Sequence, residues 1–219
     1  MKRNKKDIDI NSERQKTVFR EYLEAVIIAL VLALFIRTFV VQAFKIPSGS
    51  MENTLLVGDH ILVNKFSYGI KIPNRMPFSK IKLFKDIRFF EKMPERGDVI
   101  VFEYPKDESR DFIKRVIGLP GDLIEIKEQI VYINGKPMEE LYAHHSKPPT
   151  ESERDRLEPR KIPEKELFMM GDNRENSQDS RFWGFLNMDR IKGKAFIIYW
   201  SWNSEKFSVR WNRLARILK

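Results

Sequence analysis

An uncharged apolar run lies close to the N-terminus of the chain. It covers residues 25–36 (AVIIALVLALFI), and after two polar residues a second apolar stretch continues from residue 39 to residue 44. A helix over residues 23–44 would be about 33 Å long, which matches a hydrocarbon core of about 30 Å. A second frame, residues 18–36, leaves Arg37 as a flanking charge. Both frames predict a single transmembrane helix.

The charges that flank this run indicate its orientation. Residues 1–20 carry seven lysines and arginines, whereas residues 45–64 carry only Lys45. The positive-inside rule therefore places the N-terminus in the cytoplasm and the following domain outside. No small-x-small site follows the run, which argues against a cleaved signal peptide. The predicted organisation is a basic cytoplasmic N-terminus over residues 1–20, a transmembrane anchor over residues 21–44 and an extracytoplasmic domain over residues 45–219.

Beyond residue 44 the hydrophobic pattern changes from helical to extended. β-Branched and aromatic runs such as residues 98–104, 112–119 and 195–200 predict strands, and turn residues separate them. The predicted fold class is mainly β, an antiparallel β-sheet domain behind a single N-terminal transmembrane helix. Two Pro-rich polar stretches, residues 71–95 and 136–165, are predicted to be insertions.

Composition narrows the range of functions. The formal net charge is +9, but basic and acidic residues are interleaved along the chain and no nucleic-acid-binding signature accompanies them. We therefore expect no nucleic-acid partner, and a basic surface suits anionic lipid headgroups. The absence of cysteine excludes disulfides and thiolate chemistry. The three histidines have no metal-ligand spacing, so neither a metal nor another cofactor is expected.

Three segments carry candidate chemistry. Pro47 and Gly49 allow a sharp turn that would present Ser50 as a nucleophile, although the segment is also typical of an ordinary turn. Lys114 lies in an apolar strand, where burial would lower its pKa and make it a base, unless it emerges on the polar side of an edge strand. Residues 171–181 form a polar loop compatible with a hydrogen-bonded network or a metal loop.

Four segments resemble the motifs of the bacterial type I signal peptidases, also called leader peptidases. They are residues 46–65, 96–102, 112–122 and 171–184, they occur in the family's order, and the resemblance covers most of residues 20–200. It implies a membrane-bound serine endopeptidase that removes N-terminal signal peptides from exported preproteins after small-x-small sites. The implied location is the bacterial plasma membrane, with signal peptides and membrane lipids as partners and the secretion machinery as a candidate partner.

The resemblance also implies roles for individual residues. Ser50 would be the nucleophile and Lys114 its general base, Ser177 would hydrogen-bond the lysine amine, and Ser48 would complete an oxyanion hole with the Ser50 N–H. The implied structural ion pairs draw on Arg115, Asp172, Asp179 and Arg181. The implied apolar substrate pockets draw on Phe44, Ile46, Pro47, Met51, Leu55, Ile61, Val101, Phe112 and Ile113. Glu52 departs from the family, which often has a proline nearby, and we expect its side chain to point to solvent.

Three other classes of protein fit the sequence less well. A Ser-Lys protease of the self-cleaving repressor class would be soluble and would carry a DNA-binding domain. A membrane-anchored β scaffold without activity would not need Ser50 and Lys114 in matching motifs. A metal-dependent hydrolase would need ligand spacing that the three histidines lack.

Overall fold

The computed structural model describes residues 5–71, 88–148 and 155–218. The chain divides into two compact units, Met1–Val40 and Val41–Lys219. Most of the predicted insertion at residues 71–95, and residues 149–154 of the second one, lie outside the described residues.

The first unit is helical. Helix α1 spans Lys5–Phe35 and continues as a π-helical segment over Ile36–Val40. Its large apolar side chains from Val18 to Ile36 are exposed. Among the residues that the structure describes, no helix is both long enough and apolar enough to cross a membrane.

The prediction that this helix extends to residue 44 is wrong. Val41–Lys45 form strand β1, which pairs antiparallel with strand β2, Asp59–Asn64. The stretch FVVQAF is apolar and rich in β-branched and aromatic residues, so it suits a strand as well as a helix. The backbone partners offered by β2 and the packing of Phe44 against the core decide in favour of the strand.

The second unit is built on a large antiparallel sheet, which confirms the predicted mainly β class. Its strands follow the order β1-β2-β13-β5-β6-β11-β12, and two short strands, β14 and β15, also pair with β13. The strands after β2 in this sheet are β5 (Val99–Tyr104), β6 (Asp107–Gly118), β11 (Glu166–Met170), β12 (Leu186–Asn187), β13 (Ile191–Asn203), β14 (Ser208–Val209) and β15 (Arg216–Ile217).

Smaller elements complete this unit. A second sheet has the order β10-β7-β8-β9, with β7 at Leu123–Lys127, β8 at Ile130–Ile133, β9 at Lys136–Pro137 and β10 at Leu157–Lys161. Strands β3 (Ile70–Lys71) and β4 (Arg88–Phe89) pair antiparallel with each other, and helix α2 spans Ser180–Trp183. Because β9 and β10 flank residues 138–156, the predicted insertion at 136–165 is built into the second sheet at both ends.

Alternation of side chains along the strands creates the core. In β2 the side chains of Ile61 and Val63 are buried while their neighbours are partly exposed, as expected for a period of two. By contrast, β6 is partly or fully exposed from Asp107 to Ile113 and buried from Lys114 to Gly118. Strand β5 pairs with β6 as far as Arg115, and β11 pairs with it from Arg115 to Gly118. The change in burial along β6 places Lys114 at the point where the strand enters the core.

Candidate active site

Ser50 lies in the loop that joins β1 to β2. A single 3-10 turn, Gly49–Met51, follows the extended residue Ser48. The fully buried side chain of Met51 anchors this turn in the core, and the Ile46 N–H donates to the Asp59 carbonyl at 2.8 Å. Ser50 is thereby held at the surface of the core with only 8 % of its area exposed.

Lys114 reaches this serine from strand β6. Its Nζ lies 2.7 Å from the Ser50 Oγ and also donates to the Ile113 carbonyl at 3.0 Å. The amine lies 5.5 Å from the centre of the Phe112 ring, and the lysine side chain as a whole is 3 % exposed. The sequence left open whether Lys114 emerges on the polar side of an edge strand. Because its side chain is buried, it does not.

The electrostatics of this position favour a neutral amine. Burial lowers the pKa of Lys114 from its ordinary 10.5 to about 8, against the opposing effect of the Asp179 and Asp172 carboxylates, while Arg181 adds to the lowering. At pH 7 the neutral fraction therefore rises from about one in three thousand to about one in eleven. A buried lysine that is neutral in a useful fraction of molecules can accept a proton from the hydroxyl it contacts.

The polar loop of residues 171–177 packs directly on Ser50. The Asn173 N–H donates to the Ser50 carbonyl at 3.2 Å, and its side-chain amide donates to the Gly49 carbonyl at 3.2 Å. A Cβ on Gly171 would collide with the Ser50 carbonyl oxygen and with the side chain of Ser177. The close approach of this loop to Ser50 therefore requires glycine at position 171.

Two buried ion pairs hold this region. Arg115 donates to both oxygens of Asp172, at 2.9 and 2.7 Å, and Thr54 donates to the same carboxylate at 2.5 Å. Arg181 donates to both oxygens of Asp179, at 2.8 Å each. Burial raises the pKa of Asp179, but Arg181, Ser177 and the Gly171 N–H together hold it below its ordinary value. Each of the two carboxylates is thus held by an arginine in the buried region beside the Ser50–Lys114 pair.

The two remaining serines occupy the same cleft as Ser50. Ser177 is buried, and its hydroxyl contributes to lowering the Asp179 pKa. The predicted hydrogen bond from Ser177 to the Lys114 amine is not present. Ser48 is exposed, and its side chain makes no capping hydrogen bond to the turn that follows it.

A cleft of about 710 Å³ opens in front of the pair. Three of the predicted substrate-binding residues line it, namely Pro47, Phe112 and Ile113. Phe44 packs against the core behind it. The other five predicted residues have side chains that point into the hydrophobic core, so they do not line the cleft. They are Ile46, Met51, Leu55, Ile61 and Val101.

Sequence reasoning missed several residues that frame the site. Arg174 and Glu140 form a buried bidentate pair, and the Tyr142 ring lies 4.0 Å below the Arg115 guanidinium carbon. Pairing between residues 34 positions apart leaves no local pattern in a single sequence. Thr54 also frames the site, since its hydroxyl donates to Asp172, and it lies within the segment that carries Ser50.

The remaining polar candidates lie apart from the Ser50 hydroxyl. Glu52 is exposed as expected, and its carboxylate accepts a hydrogen bond from Asn173 at 3.3 Å. His145 lies 3.4 Å from Glu175, and burial lowers the His145 pKa. Within the part of the chain that the structure describes, no group of three or more His, Asp or Glu side chains is placed to hold a metal ion.

Comparison with known proteins shows the family of the chain. The family model described as signal peptidase, peptidase S26, matches residues 19–200. The chain belongs to the signal peptidase family, peptidase S26. It is 39 % identical to a signal peptidase I of Pseudomonas aeruginosa over 86 % of this chain and 75 % of that protein. It is 33 % identical to a signal peptidase I of Aquifex aeolicus over 83 % of this chain and 84 % of that protein.

A solved signal peptidase I from Enterococcus faecalis is also similar, at 29 % sequence identity with a TM-score of 0.39. The similarity covers 47 % of this chain and 97 % of that one. Family membership makes the chain a serine peptidase of the signal peptidase type.

Proposed function

We propose that this signal peptidase cleaves exported preproteins with Ser50 as nucleophile and neutral Lys114 as general base. The observation that carries the proposal is the 2.7 Å contact between the Lys114 Nζ and the Ser50 Oγ, made by an amine that is buried. A serine hydroxyl needs an adjacent base to become nucleophilic, and a lysine serves only when it is neutral. Burial supplies that condition here, because it lowers the Lys114 pKa to about 8.

The reaction divides into acylation and deacylation. Neutral Lys114 takes the Ser50 proton while the oxygen attacks the scissile carbonyl carbon, and a tetrahedral oxyanion forms. The resulting ammonium gives its proton to the departing amine, which becomes the N-terminus of the mature protein. Lys114, neutral again, then takes a proton from water as that water attacks the acyl ester. The signal peptide leaves with a new carboxylate, and Ser50 regains its proton.

The oxyanion needs hydrogen-bond donors during both steps. We assign this role to the Ser50 N–H and the Ser48 hydroxyl, which lines the same cleft and is not engaged in capping the turn. One such donor contributes about 3 kcal/mol to stabilisation of the transition state. Ser177 lines the same cleft, and we assign its hydroxyl to stabilising the ammonium that forms on Lys114 during turnover.

A free strand edge supports the proposed substrate class. Residues 111–114 of β6 pair with β5 on one side, whereas β11 pairs with β6 only from Arg115 to Gly118. Residues 110–114 line the cleft, so an extended peptide can add to this edge as a further strand. Alternate residues of such a peptide would face the same wall, which suits selection at the −1 and −3 positions by Ile113 and the neighbouring apolar side chains.

The proposal includes location at the bacterial plasma membrane, with the N-terminus in the cytoplasm and the peptidase domain outside. The uncharged run of residues 25–36, whose large side chains are exposed along α1, supports membrane anchoring. The excess of basic residues in residues 1–20 supports the orientation. Signal peptides and membrane lipids are the proposed partners.

The test is cleavage of a purified preprotein by the detergent-solubilised full-length chain. Wild type should cut after a small-x-small sequence, Ser50→Ala should show no cleavage above background, and Ser204→Ala, an exposed serine on the same unit, should match wild type. Cleavage by Ser50→Ala at the wild-type rate would remove the proposed nucleophile. Failure of well-folded wild type on several preproteins would favour a binding scaffold instead.

A further inference from the structure

Residues 140–146 form a brace along the polar loop of the active site. The brace follows strand β9 and belongs to the segment that the sequence marks as a polar insertion. The His144 N–H donates to the Asp172 carbonyl at 2.7 Å, and the Arg174 N–H donates to the His144 carbonyl at 3.0 Å. These two bonds join the brace to loop 171–177 as a short parallel bridge between His144 and Asn173.

A buried ion pair ties the same two segments together. The Arg174 guanidinium donates to the two oxygens of Glu140 at 2.9 and 2.6 Å, and its Nε donates to the Gly171 carbonyl at 3.1 Å. The side chains of Arg174 and Glu140 are only 2 % and 8 % exposed. Removing one member of such a pair leaves an uncompensated buried charge, which strongly disfavours the arrangement that contains it.

The brace also touches the second ion pair of the site. The Tyr142 ring lies under Arg115, whose guanidinium carbon is 4.0 Å from the ring centre, and Arg115 is the partner of Asp172. The Tyr142 hydroxyl donates to Glu140 at 3.3 Å. One short segment therefore contacts both Arg174, which binds the Gly171 carbonyl, and Arg115, which binds the Asp172 carboxylate.

The turn of residues 171–174 is the part of the loop that meets the nucleophile. Gly171 packs on Ser50 and Ser177 too closely for any side chain, and Asn173 donates to the Ser50 and Gly49 carbonyls. A shift of the turn by a fraction of an ångström would displace the Ser50 hydroxyl from the Lys114 amine. Catalysis is sensitive to displacements of this size, since a misplacement of about 1 Å can cost about 100-fold in rate.

We propose that Glu140 and Tyr142 are positioning residues, which hold loop 171–177 against Ser50 and so keep the nucleophile in contact with its base. The proposal rests on the proposed function, because the contact it maintains is the one assigned to proton transfer. The segment that looks like a surface insertion is on this account part of the frame of the active site.

The kinetic test compares two adjacent glutamates. Glu140→Gln should lower kcat roughly tenfold and leave KM within about twofold, since the cleft residues that face the substrate are untouched. Glu139→Gln is the matched control, because Glu139 is exposed, and it should behave as wild type. Tyr142→Phe, which keeps the ring over Arg115, should retain most of the kcat that Tyr142→Leu loses. An unchanged kcat in Glu140→Gln would overturn the proposal.

A second measurement does not depend on activity. Amide hydrogen exchange at Asn173 and Arg174 should be at least about tenfold faster in Glu140→Gln than in Glu139→Gln, while amides of β13 in the core stay as slow as in wild type. If Glu140→Gln does not fold, Tyr142→Leu serves in its place. Equal exchange in loop 171–177 for all variants would overturn the brace. If wild type cleaves no preprotein, the proposed function fails while the exchange result still decides the brace.

Discussion

The proposed proton-acceptor role of Lys114 predicts a specific dependence of activity on pH. Only the neutral amine can accept the Ser50 proton, so kcat/KM should follow the neutral fraction of the lysine in the free enzyme. Because burial lowers the Lys114 pKa to about 8, the rising limb should be centred near pH 8. The neutral fraction is about 1 % at pH 6, about 9 % at pH 7 and about 50 % at pH 8.

These fractions fix the size of the effect. Between pH 6 and pH 8 the value of kcat/KM should increase about 50-fold, and between pH 8 and pH 9.5 it should increase only about twofold more. The assay is the initial rate of preprotein cleavage at substrate concentrations well below KM, in buffers of constant ionic strength. Far-UV circular dichroism at each pH should stay constant across the same range, so that unfolding does not enter the profile.

Two outcomes would refute this reasoning. A limb centred below pH 6.5 would point to a histidine, and His145 beside Glu175 is the histidine whose burial already lowers its pKa. A limb near pH 10.5 would mean that the amine is solvated during turnover. The variant Lys114→Arg gives an independent check, since arginine keeps the charge but does not deprotonate, and it should be inactive throughout the range.

Three further predictions follow from the same contacts. Ser48→Ala should reduce kcat about 100-fold without abolishing single-turnover cleavage, since one oxyanion donor of two is lost. Gly171→Ala should reduce activity by at least as much, because the added methyl group meets the Ser50 carbonyl and the Ser177 side chain, and a crystal structure or exchange of the Asn173 amide would reveal the displaced loop. Lys114→Met should raise the free energy of unfolding at pH 7 by about 1–3 kcal/mol, as measured by urea denaturation. The reason is that burial lowers the pKa of Lys114 in the folded state, so the charged lysine destabilises the fold at every pH below about 10. Equal or lower stability of that variant would contradict the lowered pKa.

The segments that hold Ser50 and Lys114 were predictable from sequence, because each has a recognisable local pattern. Lys114 lies among apolar residues of a strand, and Ser50 lies three residues after Pro47, in a segment that allows a sharp turn. The 2.7 Å contact joins two residues 64 positions apart, yet each segment carries its own signal. Antiparallel strands and short turns are also predictable: the strands from alternating apolar and polar residues, and the turns from residues such as Pro120 and Gly121.

Other features depend on contacts with residues that are distant in the sequence, so the sequence alone did not predict them. Residues 41–44 are compatible with a helix or a strand, and pairing with β2 decides the outcome. The Glu140–Arg174 pair joins two charged segments that are distant in the sequence, and neither segment alone indicates that its charged residue is buried. Ile61 and Val101 were expected to contact substrate, but a period of two does not tell which face of a strand turns to the core and which to the cleft.

The most direct test of the account is the identity of the residue that carries the acyl group. Wild-type enzyme mixed with a preprotein, quenched in acid within one turnover and digested, should yield a peptide in which Ser50 is esterified by the C-terminal residue of the signal peptide. Mass spectrometry should locate this ester on wild type and find none on Ser50→Ala. An acyl group on any other residue, or complete cleavage by Ser50→Ala, would contradict the assignment of Ser50 and Lys114 as the catalytic pair.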